Sequence, residues 1–139
     1  MNEKPVLRGL RPRTVIGNVK GTVLVADDSP TQQRMMRAPF EADGYGIVTA
    51  NDGVEAVARV EEREDLVLVV LDVVMPNMNG FQACKRIRAM RPDLPIIMLT
   101  TKDQKSDEFW GLRQGANLYM TKPFDPQELL ANALTLINR

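Results

Sequence analysis

Residues 66–72 read Leu-Val-Leu-Val-Val-Leu-Asp. Six apolar residues, three of them β-branched, run without the alternation of a half-solvated strand. Such a run is a strand covered on both faces, which belongs to a parallel sheet enclosed by helices. The run stops on an acid, Asp72. If the sheet is parallel, its other strands should have the same form, and whatever ends them should gather at one edge.

Working outward, that form recurs. Thr22-Val-Leu-Val-Ala26 is a short apolar run closed by Asp27-Asp28, and Ile47-Val-Thr-Ala50 is a second strand. Pro95-Ile-Ile-Met-Leu-Thr100 is a fourth, and Leu118-Tyr-Met-Thr121 a short fifth, followed by Lys122-Pro123. Helical spacing fills the gaps. Met35, Met36 and Phe40 mark a helix near residues 30–43. Val54, Ala56, Val57, Ala58 and Val60 mark another after the Asn51-Asp52-Gly53 turn. Gly80 to Met90 is amphipathic, and Asp103 to Gln114 reads as a helix ended by Gly115. At helical spacing Phe109 and Leu112 are expected in the core and Trp110 at the flank. Asp125 caps the last helix, with Pro126 at its first position. Leu129, Leu130, Ala133, Leu134, Leu136 and Ile137 form that helix's buried stripe. The fold class is therefore α/β: a (βα)5, doubly wound, five-stranded parallel sheet. Pro39 falls inside the first helix and is expected to kink or break it, because it removes a backbone donor.

The composition narrows the function. Lys plus Arg and Asp plus Glu both number 18, so the formal net charge is zero. No nucleic-acid-binding field is expected, and with no long apolar run, no membrane insertion. Residues 1–20 carry five cations against Glu3 alone and lack a clear period. They read as a flexible or loosely docked arm before a domain over 21–139. One cysteine, Cys84, and no signal peptide fit a reducing, cytoplasmic setting, with Cys84 a small buried hydrophobe. Histidine is absent, which excludes His-based triads and metal sites.

Four buried strands thus end in acid-acid, acid, Thr and Lys. Taken singly, each has an ordinary explanation: an Asp-Asp pair is most often a turn or cap, a threonine is a common strand residue, and a lysine is a surface charge. Together at one edge they are a different matter. Three carboxylates there repel one another, and a hard divalent cation with a lysine offsets that repulsion. Mg2+ suits the acids, Lys122 supplies a fixed positive charge and Thr100 a hydroxyl. This is an acceptor site for phosphoryl transfer, with Asp72 the nucleophile because its strand is the central, most apolar one. Asp28 and Asp27 are the expected metal ligands, Asp27 through water.

These residues resemble the CheY-like receiver family over about residues 22–139. The resemblance rests on Asp27-Asp28, Asp72, Met75-Pro76, Asn79-Gly80, Thr100, Tyr119 and Lys122-Pro123, with separations of 44, 28 and 22 residues between Asp28, Asp72, Thr100 and Lys122. It implies a response regulator receiver of two-component signalling, not an enzyme beyond its own phosphorylation and dephosphorylation. A histidine kinase would be the phosphodonor to Asp72, and Mg2+ would sit on Asp28, Asp72 and the Val74 carbonyl. Thr100 and Tyr119 would be the switch pair, and the Lys122-Pro123 bond would be cis. The fourth helix, fifth strand and fifth helix would present the face that meets a downstream protein, in a monomer or a phosphorylation-dependent dimer. With no segment after the fifth helix, the receiver itself would carry the signal.

Asp27-Asp28-Ser-Pro-Thr31 and residues 101–115 resemble stand-alone regulators of type IV pilus twitching motility, which points to a motility or chemotaxis partner. Apolar Val74, two residues after Asp72, implies a long-lived phosphoryl group. Two other functions are weighed. One is a pseudo-receiver that only binds; the intact acids, Thr100 and Lys122 stand against it. The other is a phospho-aspartate phosphatase of the haloacid-dehalogenase type, against which stands Val74 where a second acid is usual.

Overall fold

A computed structural model describes residues 20–139, so the arm expected over 1–20, apart from Lys20, lies outside the described residues. Ten elements alternate: β1 (Thr22–Ala26), α1 (Pro30–Ala42), β2 (Gly46–Ala50), α2 (Gly53–Glu62), β3 (Leu66–Leu71), α3 (Gly80–Met90), β4 (Ile96–Thr100), α4 (Lys105–Arg113), β5 (Leu118–Thr121) and α5 (Pro126–Ile137). All strands pair in parallel in the order β2-β1-β3-β4-β5, so the apolar run Leu66–Leu71 is the central strand. The chain reverses its direction of travel across the sheet between β1 and β3. The crevice outside the carboxyl ends at such a point is where open α/β sheets hold ligands.

Each face of the sheet has its own core. On one, Ala56, Val57 and Val60 of α2 and Ala83, Cys84 and Ile87 of α3 cover Leu24, Val69, Leu71 and Met98. On the other, Met36 and Phe40 of α1 and Leu129 and Ala133 of α5 cover Val23, Val25, Leu68, Val70, Ile97 and Leu99. Cys84 is fully buried, and burial pushes its thiol up to about 11, as expected of an inert apolar group.

Three details differ from the sequence expectations. α1 runs unbroken through Pro39. The carbonyl that loses its helical donor belongs to Met35, a residue 48% exposed, on the solvent side of the helix where a missing bond costs least. Met35 therefore stands outside the core that its neighbour Met36 enters. The largest correction concerns α4: Phe109 and Leu112 are exposed with Trp110, and the buried residue is Gly111. A Cβ at Gly111 would meet the Met98 Sδ and the Tyr119 ring at 2.9 Å. The helix lies against the sheet along the narrow line this glycine permits, which turns the bulky side chains outward. Finally, Gly53 begins α2 rather than ending a turn, with Asp52 as its cap.

Candidate functional site

The parallel topology brings the five strand ends together. Asp27 and Asp28 follow β1, Asp72 follows β3, Thr100 closes β4, and Lys122 follows β5. One carboxylate oxygen from each of Asp27, Asp28 and Asp72 lies within 4.8 Å of the others. Asp27 is 1% exposed and Asp72 7%, whereas Asp28 is exposed. The Lys122 ammonium donates to Asp27 Oδ2 at 2.6 Å and to Asp72 Oδ2 at 3.5 Å. Lys122 is thus primarily the partner of Asp27 and stands at the margin of Asp72. Its peptide bond to Pro123 is cis.

The remaining oxygens differ in what they have left to offer. Asp27 Oδ1 accepts the Ser29 N–H at 2.9 Å, so both of its oxygens are engaged. Burial pushes the Asp27 carboxyl above its ordinary range, and the bond from Lys122 and the Ser29 N–H oppose that shift without cancelling it. Asp72 Oδ1 accepts the N–H of Val73 at 2.7 Å. The donor set is three carboxylates, hard oxygen ligands with one cation against two of them, which fits Mg2+ with its waters. The site opens through a cleft of about 420 Å3, with Gln32, Met35 and Phe124 among its walls.

Thr100 is fully buried, and its hydroxyl accepts the Lys102 N–H at 3.3 Å. The Tyr119 hydroxyl donates to the carbonyl of that same Lys102 at 2.7 Å. One residue of the β4–α4 loop therefore links the two side chains. Burial, before its acidic neighbours, pushes the Tyr119 phenol up to about 12, so it remains a donor across the physiological range. Val74, two residues after Asp72, is 57% exposed, and its side chain is apolar.

Several residues of the site escape a reading of strand ends. Gln33 Nε2 donates to the Asp27 carbonyl at 2.6 Å and to Asn51 Oδ1 at 2.9 Å, tying α1 to the ends of β1 and β2. Asp52 receives Asn77 Nδ2 at 2.6 Å, and the Gly53 N–H donates to the Met78 carbonyl at 3.0 Å. Close approach explains both local glycines. A Cβ at Gly53 would collide with the Met78 carbonyl, and one at Gly80 with the Asp72 carbonyl. The Asp-Gly and Asn-Gly pairs at 52–53 and 79–80 are the only sequence trace of this, and pairs of that kind are common in turns.

A doubly wound sheet with clustered acids, a threonine and a lysine at its carboxyl edge defines a receiver. The chain belongs to that family: residues 23–134 match the response regulator receiver domain. It is 43% identical to the protein PilH of Pseudomonas aeruginosa over 78% of this chain and 90% of PilH. It is 41% identical to the alkaline phosphatase synthesis transcriptional regulatory protein PhoP of Bacillus subtilis over 84% of this chain, but spans only 48% of that protein. Among solved structures, the CheX–CheY–BeF3–Mg2+ complex of Borrelia burgdorferi superposes with a TM-score of 0.79 at 27% identity, covering 84% of this chain and 88% of that one. Receivers are signalling modules of two-component systems. Among the described residues no helix is long and apolar enough to cross a membrane.

Proposed function

We propose that the chain accepts a phosphoryl group from a histidine kinase on Asp72 and thereby changes its affinity for a downstream protein. The observation that carries this is the Asp72 carboxylate, buried at the central strand end, with two more carboxylates and the Lys122 ammonium around it. Asp28 and Asp72, with the Val74 carbonyl, would hold Mg2+, and Asp27 would act through water because its own oxygens are engaged. When bound, the metal supplies neutralisation of phosphoryl oxygens. The likeness to a CheY seen with BeF3 and Mg2+ supports that assignment.

In the transfer, an Asp72 oxygen forms the bond to phosphorus while the donor's nitrogen–phosphorus bond breaks. Its electron pair returns to the imidazole, which takes up a proton. Lys122 is already within reach of Asp72 and needs little movement to meet the new charge. Thr100 is the hydroxyl donor for the phosphoryl oxygens. Turning to them removes its oxygen from the Lys102 N–H, and Lys102 also holds the Tyr119 hydroxyl. A change at Asp72 is thus passed to β5 and α4 through one loop residue, a population shift between two arrangements.

The receiving face is formed by α4, β5 and α5. Phe109, Trp110 and Leu112 stand exposed on α4, apolar anchors of the kind binding surfaces use. A motility or chemotaxis partner is what the resemblance of residues 27–31 and 101–115 to regulators of twitching motility implies. The exposed apolar Val74 side chain offers no polar group to position a hydrolytic water, which favours a long-lived phosphoryl group.

Intact-mass spectrometry after incubation with acetyl phosphate tests the chemistry. One phosphoryl adduct is expected on the wild type with Mg2+, none with chelator, and none on Asp72→Asn. A wild type that stays unmodified while a control receiver is loaded would replace this function with that of a constitutive binding module.

A further inference from the structure

The loop from Val73 to Asn79 joins β3 to α3 and includes Val74, whose carbonyl is assigned above to the metal. Its near end is fixed by its own neighbours: the Gly80 N–H donates to the Val73 carbonyl at 2.8 Å, and the Val73 side chain is buried. Its far end is fixed by a different element, the N-terminus of α2. Asn77 Nδ2 donates to Asp52 Oδ2 at 2.6 Å, and the Gly53 N–H donates to the Met78 carbonyl at 3.0 Å. Between these anchors Val74 and Met75 make no backbone–backbone hydrogen bond among the described residues, so the placement of the Val74 peptide rests on the two ends and on the buried Met75 side chain.

The chemistry at the far end exceeds what local structure requires. Asp52 caps α2 with Oδ1, which accepts the Glu55 N–H at 2.8 Å. A serine or threonine would cap as well but would not extend a second acceptor to Asn77. Asn77 has a φ of 67°, which glycine adopts at less cost. Carboxylate and amide together do what neither local role needs: they tie the N-terminus of α2 to the β3–α3 loop. The bond from the Glu55 N–H, then that from Asn77, hold the Asp52 carboxyl below its usual range, so it stays charged at neutral pH.

We propose that Asp52 and Asn77 are positioning residues for the metal end of the site: their bond holds the β3–α3 loop so that Val74 is placed against Asp28 and Asp72. The proposal rests on the Mg2+ site described under Proposed function. Outer partners of metal ligands typically change affinity about 10–100-fold when removed.

Calorimetric titration of the full chain with Mg2+, beside urea unfolding of the same samples, tests it. Asn77→Gly suits the local backbone and Asp52→Ser keeps the helix cap, so both are expected to unfold near the wild-type midpoint. Both should bind Mg2+ about tenfold more weakly. Asp52→Asn combined with Asn77→Asp exchanges acceptor and donor across the same gap and should bind more tightly than either single change. A merely structural pair would instead lower the urea midpoint and leave affinity unmoved, which overturns the proposal. Wild-type protein that takes no Mg2+ overturns the metal site itself and the clamp with it. Wild-type binding matched by all variants overturns the clamp alone.

Discussion

At the amino edge of the sheet, Arg88 spreads its guanidinium over the carbonyls of Arg91, Pro92, Leu94 and Gly115 and the side chain of Asn117, at 2.7–3.1 Å. Beside it in the same edge, Asp65 takes both Arg63 and the Thr22 hydroxyl. At the carboxyl edge, Asp27, Asp28 and Asp72 crowd one another, with the Lys122 ammonium against two of them. The same sheet therefore carries charges that are saturated with partners at one end and in excess at the other. Saturated charge contributes to stability. Excess like charge opposes it and is retained where a ligand of opposite sign has use for it. Acid should therefore act on the two edges in opposite directions.

The sharpest way to break this contrast is Lys122→Met. It leaves the buried Asp27 and Asp72 without their cation, and removing one member of a buried pair costs about 4 kcal/mol. Without Mg2+, urea unfolding at neutral pH should show a loss of that order. The Asp27 carboxyl is already raised above 3.8 by burial, so folding favours its protonated form. The relief on protonation is complete below 3.8 and is lost as pH rises through the raised folded value. The deficit of the variant against wild type should accordingly shrink on acidification. A deficit that is constant with pH would mean that lost packing of the lysine stem, rather than charge crowding, is responsible.

At the opposite edge, Arg88→Ala should cost about 3 kcal/mol, since it strands several carbonyls that a charged donor had satisfied. Arg88→Lys should recover little, because an ammonium cannot reproduce the planar fork. Chemical unfolding at neutral pH measures both, and Mg2+ affinity should be unchanged in each. A drop in Mg2+ affinity would show that the two edges are energetically coupled, and the contrast would no longer describe independent regions.

The carboxyl edge was far more legible than the amino edge, for a physical reason. Strand ends carry their polar residues at fixed places, so Asp27, Asp28, Asp72, Thr100 and Lys122 could be placed together from the alternation of apolar runs alone. Arg88 lies on a helix at no special position, and its acceptors are carbonyls, which every residue has. Nothing in its spacing marks it. The same holds for Asp52 and Asn77, whose partner lies 25 residues away across a loop. α4 was misread because periodicity assumes that bulky apolar residues turn inward. Here a glycine at the closest approach turned Phe109 and Leu112 out. α1 was misread because the cost of an internal proline depends on whether the freed carbonyl meets water, which the sequence does not display.

The smallest effect belongs to Asp65, yet its sign is the most telling. The Arg63 guanidinium first, then the Thr22 hydroxyl, hold its carboxyl down at about 2 from an ordinary 3.8. A depressed folded value means that the unfolded chain binds the proton first. The stabilisation is fully present above 3.8 and disappears as pH falls toward about 2. The pair is partly exposed, so the effect should be modest and diminished by salt. Thermal melts of wild type and Asp65→Asn from neutral pH to about 2 should therefore converge as the solution becomes acid. Set against Lys122→Met, whose deficit also narrows in acid but because the variant is relieved, the cause here is the reverse: the wild type loses what the variant never had. Equal slopes for wild type and Asp65→Asn below pH 3.8 would remove the amino edge from the account of acid sensitivity and leave its stability to Arg88 and apolar burial.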